Sequence, residues 1–293
     1  MPKRSIPVYH IDDFKQFESG RDFYANTLAT HLELHHFIKT PHKHDFYITV
    51  LFTKGSGTHE IDFLSYPVKP GSVFFLAPGQ THNWTLSKHC DGYIFFHTAA
   101  FYDLNFTAKK IKDHPFFASV YNAPLLELDL HNKNRMSVFF RELLAEYNGN
   151  EWMRHSKICS LLDISYVELS RLYSPLRHHK NLNQGYLDKL RQLESMVDAH
   201  FKSIKFPKDY AGMMNMSEKH LNRICKACIN KTTTDIILDR VIIEAKRLLV
   251  TSRLAVSQVS EALGYTDNAY FSRLFKKRAG VTPLEFMKRY KAL

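Results

Sequence analysis

The chain has 293 residues, of which 44% are hydrophobic and 24% are charged, a composition typical of a globular protein of one or two domains. No apolar run approaches the roughly 18 residues that a membrane span needs. The start, MPKRSIPVYH, lacks the apolar core of a secretory signal. Four cysteines in a chain of this length do not indicate a disulfide framework. The sequence therefore predicts a protein of the reducing cytoplasm with no membrane partner.

The net charge of +11 is concentrated towards the C-terminus. Residues 183–293 carry 20 Lys and Arg against 11 Asp and Glu, whereas residues 1–182 carry 20 against 18. A basic surface confined to one segment is typical of a domain that binds phosphates, although many basic domains never contact nucleic acid. Histidine is distributed in the opposite way, with 15 of 17 before residue 183.

From about residue 38 to residue 97, short apolar segments end at Gly, Pro, Asn or Asp. These segments are FYITVLF, GSGTHEIDFL, GSVFFLAPG, NWTL and GYIFFH, and their number and spacing predict a small β-barrel or double sheet. Apolar spacings of three and four then predict two helices, at about 136–147 and 155–173. The polar stretch SPLRHHKNLNQG, residues 174–185, is the predicted linker, and the rest of the chain has helical periodicity.

The helical part contains an internal repeat with a period of about fifty residues. Residues 221–232 match residues 271–282, and each copy is a short helix, a tight turn and a longer helix that ends at Asn or Gly. Asn215 and Gly264 occupy the position of the sharp turn that a helix-turn-helix needs. Ser217 in the first copy, and Thr266 or Asp267 in the second, can cap the helix that follows. The repeat therefore predicts two helix-turn-helix units.

The longer helix of each unit has one apolar face and one polar face. Arg and Asn suit bidentate pairing with guanine and adenine edges in the major groove, and Lys suits phosphates. A connecting helix of about 17 residues, roughly 25 Å long, would hold both units near the roughly 34 Å spacing of successive major grooves. The alternative is an ordinary bundle with solvated basic faces, which the repeat and the charge make less favoured. The outward residues are Lys219, Asn222, Arg223 and Lys226 in the first copy and Asn268, Ala269, Ser272, Arg273 and Lys276 in the second.

Residues 186–293 resemble the DNA-binding domain of the AraC/XylS family. IIEAKRLLV and VSQVSEALGYTDNAYFSRLFKKRAGVTPLEFMKR follow the family pattern almost continuously. The resemblance implies seven helices with two helix-turn-helix units, in which the second helix of each unit contacts bases. By position, the resemblance assigns base contacts to the outward residues of both copies, with the exception of Lys226 and Lys276. Ser260 and Cys225 depart from the family's usual Ala and Phe, and both positions belong to the core.

Residues 38–97 resemble the cupin-like ligand-sensing domain of many AraC-family regulators. The matching stretches are PHKHDFYITV, GSGTHEIDF, YPVKPGSVFFLAPGQTHNW and GYIFFH. The resemblance implies a barrel around a pocket for a small-molecule effector, followed by two helices that form the dimer face. We expect His44, His82 and Tyr47 to line this pocket.

His42, His44 and His82 also allow a second interpretation. A His-x-His pair on a strand with a later His after PGQT is the skeleton of the metal site in cupin enzymes. Those enzymes carry a Glu a few residues after the second His, where this chain has YIT. The expectation is therefore no metal and no cofactor, and a three-His zinc or iron site stays open as the alternative.

Two further features argue against a catalytic, redox or zinc-binding role. No nucleophile with a neighbouring base is apparent, so we expect no enzyme activity. Cys225 and Cys228 form a lone CxxC, which is compatible with a redox pair or half a zinc site. As small apolar residues on a predicted helix, they are better explained as part of the core.

The sequence thus predicts an α+β protein of two domains. A cupin-like barrel with dimerisation helices spans 1–173, a linker spans 174–185, and an all-α domain with two helix-turn-helix units joined by a linker helix spans 186–293. The expected function is effector-controlled transcription regulation, usually activation by resemblance to the family. Its expected partners are double-stranded DNA at two successive major grooves, RNA polymerase and a second copy of the chain.

Two other functions are compatible with the sequence. A cupin enzyme with an appended DNA-binding module would contain a stoichiometric transition metal. A constitutive architectural DNA binder would need no effector. The latter is disfavoured because the N-terminal half is long enough for a domain with a pocket.

Overall fold

The computed structural model describes residues 7–14, 22–35, 40–173, 184–252 and 254–291. The chain forms two compact units, one within residues 7–178 and the other within residues 179–293. All the described strands belong to the first unit, and the described part of the second is helical. Most of the predicted linker lies outside the described residues, and its last two residues, Gln184 and Gly185, already belong to a helix.

The N-terminal unit is built on two five-stranded sheets. The strands are β1 (Val8–Tyr9), β2 (Phe23–Thr27), β3 (His42–His44), β4 (Tyr47–Lys54), β5 (Gly57–Ile61), β6 (Leu64–Val68), β7 (Ser72–Leu76), β8 (Thr81–Leu86), β9 (Asp91–His97) and β10 (Leu125–Glu127). One sheet has the order β1-β3-β8-β5-β6 and the other has the order β10-β7-β4-β9-β2. Only β1 and β3 pair in parallel among the described strands, and the sheets form the predicted barrel.

Strand β4 is buried on both faces, because each face of its sheet covers a different core. Ile48, Val50 and Phe52 lie in the core between the two sheets. Tyr47 and Leu51 lie in a second core, which the sheet shares with the helices that follow the barrel. This two-sided burial explains why FYITVLF is almost continuously apolar instead of alternating.

Five α-helices accompany the sheets in the described part of this unit: α1 (Leu28–Leu34), α2 (Ala99–Asn105), α3 (Pro115–Ala118), α4 (Leu130–Asn148) and α5 (Arg154–Leu172). The predicted helix at 155–173 matches α5 within one residue. The helix predicted at 136–147 begins earlier, because the Asp129 side chain caps α4 by accepting a hydrogen bond from the N–H of Asn132 at 2.7 Å.

The described residues of the C-terminal unit form the seven helices that the resemblance implies. They are α6 (Gln184–His200), α7 (Pro207–Met213), α8 (Glu218–Ile229), α9 (Thr233–Thr251), α10 (Val256–Ala262), α11 (Asn268–Ala279) and α12 (Pro283–Lys291). Helix α9 is central: Ile237, Val241 and Ala245 are fully buried on one stripe at a spacing of four residues. None of the described helices is long and apolar enough to cross a bilayer.

Candidate functional site

The two predicted helix-turn-helix units, α7–α8 and α10–α11, have the same backbone geometry. Asn215 and Gly264 form the sharp turns, with φ of 52° and 78°. In both units the N–H after the turn donates to the carbonyl five residues earlier at 3.0 Å. The longer helices end at Asn230 and Gly280, which have φ of 53° and 79°. The internal repeat in the sequence is therefore a repeat in the structure.

Both longer helices begin at a side-chain cap, as the sequence indicates. The Ser217 hydroxyl accepts from the N–H of His220 at 3.2 Å. An Asp267 carboxylate oxygen accepts from the N–H groups of Ala269 and Tyr270 at 2.8 and 3.0 Å. Capping satisfies amides that would otherwise lack partners, so each helix has a fixed first turn.

The predicted DNA-contacting residues lie on the solvent side of α8 and α11. The exposed ones are Lys219, Arg223, Lys226, Asn268, Ala269, Arg273 and Lys276. Asn222 and Ser272 occupy equivalent positions of the repeat, and both are only half-buried. The two helices therefore present an arginine and a lysine at matching places, Arg223 with Lys226 and Arg273 with Lys276.

Asn222 and Ser272 already make hydrogen bonds within the unit. The Asn222 side-chain oxygen accepts from the N–H of Thr233, at the start of α9, at 3.1 Å. The Ser272 hydroxyl donates to the Asn268 carbonyl at 2.8 Å. Bidentate pairing with adenine needs both the oxygen and the NH₂ of an Asn side chain. The Asn222 oxygen keeps one lone pair and the NH₂ group keeps its two N–H donors, so pairing with adenine stays a prediction for this residue.

An ion-pair network joins the second helix-turn-helix unit to the start of α9. The Arg278 guanidinium donates to Asp235 at 2.7 Å and contacts Asp239 at 3.4 Å. Asp239 also pairs with Lys231 at 2.6 Å. Hydrogen bonds from Thr232, followed by the contact with Arg278, lower the pKa of the Asp235 carboxyl to about 2. The network thus ties α11 to the helix that connects the two units.

The turn of the second helix-turn-helix unit contacts the loop that follows α6. A Cβ at Gly264 would lie 2.0 Å from the carbonyl oxygen of Lys202, so only glycine fits there. The Lys205 ammonium donates to the carbonyl of Leu263 at 2.6 Å, and burial lowers its pKa to about 8. The loop after α6 therefore packs directly on this turn.

In the N-terminal unit, four histidines are buried on the inner face of the first sheet. His42 on β3 pairs directly with His82 on β8, and His44 follows on the same face of β3. His59 lies on the adjacent strand β5. None of the four is more than 5% exposed. The structure thus brings together His42, His44 and His82, the three histidines that the sequence singles out, and adds His59.

Three of these rings form a hydrogen-bonded chain. His44 Nε2 lies 2.8 Å from His82 Nε2, and His82 Nδ1 lies 2.9 Å from His59 Nε2. His42 is held separately, since its Nδ1 lies 2.7 Å from the carbonyl oxygen of Thr40. A carbonyl can only accept, so Nδ1 of His42 carries the proton and Nε2 carries a lone pair.

The four rings are uncharged at neutral pH. Burial lowers the pKa of His42 to about 4 and those of His44, His59 and His82 well below their usual value. Within the described part of the chain, no hydrogen-bond partner reaches Nε2 of His42 or Nδ1 of His44 and of His59. Each such buried polar atom costs about 1–3 kcal/mol. Ligand nitrogens of His42, His44 and His82 lie within 4.8 Å of one another, so these three residues could hold a metal ion.

Tyr47 does not join this cluster, contrary to expectation. It lies on the opposite face of its sheet, in the core shared with the helices, and its ring centroid is 5.5 Å from that of His97. Successive residues of a strand point to opposite faces, and Ile48 takes the inward position. A ligand inside the barrel that touches His44 and His82 would therefore not touch Tyr47.

The CxxC pair lies in the core of the C-terminal unit. Cys225 and Cys228 are both buried on α8. Burial raises the pKa of both thiols, to about 11 for Cys228, so both stay protonated at neutral pH. A protonated thiol is neither a good nucleophile nor a metal ligand.

Two capped helix-turn-helix units with exposed arginines, on a chain that also carries a barrel, define a two-domain DNA-binding regulator. Comparison with known proteins agrees. The family model described as an AraC-like ligand binding domain matches residues 27–162, and one described as a helix-turn-helix domain matches residues 210–289. The chain belongs to the AraC family of transcription regulators.

Two relatives match this chain along most of their own length. The MmsAB operon regulatory protein of Pseudomonas aeruginosa is 24% identical over 288 residues, which cover 97% of this chain and 89% of that protein. The arabinose operon regulatory protein of Escherichia coli is 22% identical over 243 residues, which cover 82% of this chain and 80% of that protein. Among solved structures, fatty-acid-bound ToxT of Vibrio cholerae is 16% identical, with a TM-score of 0.43 over 95% of this chain and 99% of that chain.

Proposed function

We propose that this regulator binds double-stranded DNA by placing α8 and α11 in two successive major grooves. The observation that carries the proposal is the matching position of Arg223 and Arg273 on two helices with the same turn, caps and exposed face. Arg pairs with guanine through O6 and N7, the commonest specific contact in the major groove. Lys226 and Lys276, one turn further along, suit the phosphates beside each groove.

The connecting helix supports the spacing that this mode needs. Helix α9 has 19 residues and is therefore about 28 Å long. Successive major grooves on one face of DNA are about 34 Å apart. The ion pairs of Arg278 with Asp235 and Asp239 hold the second recognition helix against α9, so both helices can approach the duplex as one rigid body.

The N-terminal unit supplies control and assembly in this proposal. A small ligand bound there changes DNA affinity, in keeping with the match of residues 27–162 to a ligand-binding domain. Two copies associate through α5, and the bound dimer contacts RNA polymerase to activate transcription. A relative 19% identical over 250 residues, RhaR of Mannheimia succiniciproducens, is named a transcriptional activator.

The two arginines provide the test. A binding site is first selected from a random DNA pool, and the affinity of Arg223→Ala and Arg273→Ala for it is then measured. Each variant should lose about 1–3 kcal/mol and relax the preference at one base position. Lys276→Ala should weaken binding to all sequences alike and reduce the salt dependence by about one unit of slope.

Lys189→Ala is the matched control, because Lys189 is an exposed lysine on α6, outside both recognition helices. It should change neither preference nor affinity by more than a surface substitution does. If both arginine variants bind the selected site with unchanged affinity and preference, α8 and α11 are not the recognition helices.

A further inference from the structure

DNA binding leaves the four buried histidines of the barrel unexplained. His42, His44, His59 and His82 come from three adjacent strands and converge on one side of the sheet. Structural histidines in a core are normally paired, because an unpaired ring nitrogen is costly there. Nε2 of His42 has no partner among the described residues, although that side chain is fully buried.

We propose that His42, His44 and His82 bind a divalent first-row transition metal ion inside the N-terminal barrel. Their ligand nitrogens already lie within 4.8 Å of one another. Nitrogens bound to a single zinc ion at about 2.0–2.1 Å lie about 3.3 Å apart in a tetrahedral site. Small ring movements convert one arrangement into the other, and the ion replaces the contact between Nε2 of His44 and Nε2 of His82.

The outer partners of the rings suit metal binding. A histidine ligand usually donates its other N–H to a carbonyl or a similar acceptor, which fixes the tautomer and the ring orientation. The Thr40 carbonyl does this for His42. Once Nε2 of His82 holds the ion, its Nδ1 carries a proton and donates to Nε2 of His59. Two of the three ligands, His42 and His82, are therefore oriented by a hydrogen bond to a second residue, and His59 acts as a positioning residue for His82.

The donor set limits which ions fit. Neutral imidazole suits zinc, copper, iron and nickel, whereas calcium and magnesium require oxygen ligands. Three protein ligands leave a fourth position for water or a small anion. The bound ion also links β3 to β8, so it stabilises this sheet whether or not the C-terminal unit is on DNA. The proposed metal site can therefore be tested independently of the proposed DNA contacts.

The test uses the full, untagged chain, stripped of metal and then titrated with cobalt(II). Expected results are one ion per chain, the visible absorption of four-coordinate cobalt, and quenching of Trp84. The centroid of the Trp84 ring lies 5.1 Å from the centroid of the His82 ring, so Trp84 fluorescence responds to an ion bound at His82. Trp152→Phe removes the only other tryptophan. Zinc at about 100 times its dissociation constant should raise the Tm of the barrel by roughly 5–10 °C.

Substitutions assign the ligands. His42→Gln and His82→Gln should weaken cobalt binding by about 100-fold or more, and His59→Gln by about 10–100-fold. His97→Gln is the matched control: His97 is also fully buried, but its Nε2 lies 2.7 Å from the hydroxyl of Tyr166 on α5, so the substitution should leave cobalt affinity unchanged. If His82→Gln fails to fold, His42→Gln still decides the question, since His42 is held by the Thr40 carbonyl and lies outside the hydrogen-bonded chain of the other three rings.

Three results would overturn the proposal: absence of stoichiometric metal together with no quenching by cobalt, full binding by the His42→Gln/His82→Gln double variant, or equal loss in His42→Gln and His97→Gln. Any of these would leave the proposed DNA contacts untouched, because DNA binding is measured separately.

Discussion

At the scale of single residues, Asn222 has two roles that can be separated by substitution. Its side-chain oxygen accepts the N–H of Thr233 and so joins α8 to the first turn of α9. Asn222→Ala leaves that amide without its partner and should lower the free energy of unfolding by about 1 kcal/mol. Asn222→Asp keeps the acceptor and should retain stability, while its negative charge weakens binding to DNA phosphates.

Urea unfolding and DNA titration of the same variants check this division. Ser272→Ala is the control at the equivalent position of the repeat. The Ser272 hydroxyl bonds only to its own helix, so its loss should change stability little. Equal destabilisation by Asn222→Ala and Ser272→Ala would show that the bond to Thr233 has no structural role.

Two buried histidines away from the proposed metal site make the N-terminal unit sensitive to acid. Burial lowers the pKa of His97 and of His114 from 6.5 to about 4. Their neutral forms therefore stabilise the fold fully above about pH 6.5, and this stability is lost as the pH falls from 6.5 towards 4. The loss is at most roughly 3 kcal/mol for each residue.

Tryptophan fluorescence measures this loss in one unit, because Trp84 and Trp152 both belong to the N-terminal unit. Urea midpoints should fall steeply between pH 6.5 and 4, and His97→Gln should make the fall shallower. His89→Gln is the control, since His89 is exposed. A His97→Gln profile parallel to that of the unsubstituted protein would contradict the prediction.

At the scale of elements, the two turns of the C-terminal unit differ in how tightly they are packed. Gly264 and Gly280 have nearly the same φ, 78° and 79°, but only Gly264 is crowded. Gly280→Ala should cost about 1 kcal/mol, the strain of a left-handed alanine. Gly264→Ala adds a clash with the Lys202 carbonyl and should cost at least roughly 3 kcal/mol.

Thermal unfolding of the two variants gives the comparison directly, because the backbone strain is common to both. We also expect Gly264→Ala to weaken DNA binding, since α11 begins just after this turn. Equal losses of stability in the two variants would mean that the loop after α6 moves away from the turn without cost.

The elements that the sequence predicts best are those with a local cause. Asn215 and Gly264 are predictable because a sharp turn needs a positive φ, and Ser217 because a helix start needs a cap. In the second unit the sequence offers Thr266 or Asp267 as the cap, and the structure has Asp267. For α4 the apolar periodicity predicts a start later than the one observed, since the Asp129 cap precedes that periodicity. Local chemistry thus predicts the ends of helices where the capping residue adjoins the apolar pattern.

The barrel site was harder to predict, because its residues come together across strands. β4 is apolar on both faces, so its sequence does not tell which residues face the histidines; Tyr47, expected beside His44 and His82, lies on the opposite face. His59 was missed although the alternation in GTHEI places it on the same face as buried Ile61. Its proximity to His82 depends on the pairing of β5 with β8, which the sequence does not specify.

At the scale of the whole molecule, each unit has its own core, so assembly and DNA binding can be studied separately. In the N-terminal unit, α5 buries one face, which includes Leu162, Tyr166 and Leu169, against the second sheet. Its other face carries Ile164, which is 45% exposed. A helix–helix contact through this face would bury the Ile164 side chain, which makes it the position to test.

If two copies associate through this face, a charge at its centre should separate them. Ile164→Glu should shift residues 1–173, and the full chain, from dimer to monomer at micromolar concentration, because the buried carboxylate would have no partner there. Leu104→Glu is the matched control: Leu104 is 76% exposed on α2 and should leave the dimer intact. Sedimentation velocity measures the two states, and circular dichroism verifies that both variants fold. A monomeric unsubstituted fragment would remove α5 as the dimer face, and dimers that persist in Ile164→Glu would place the contact on another surface of the unit.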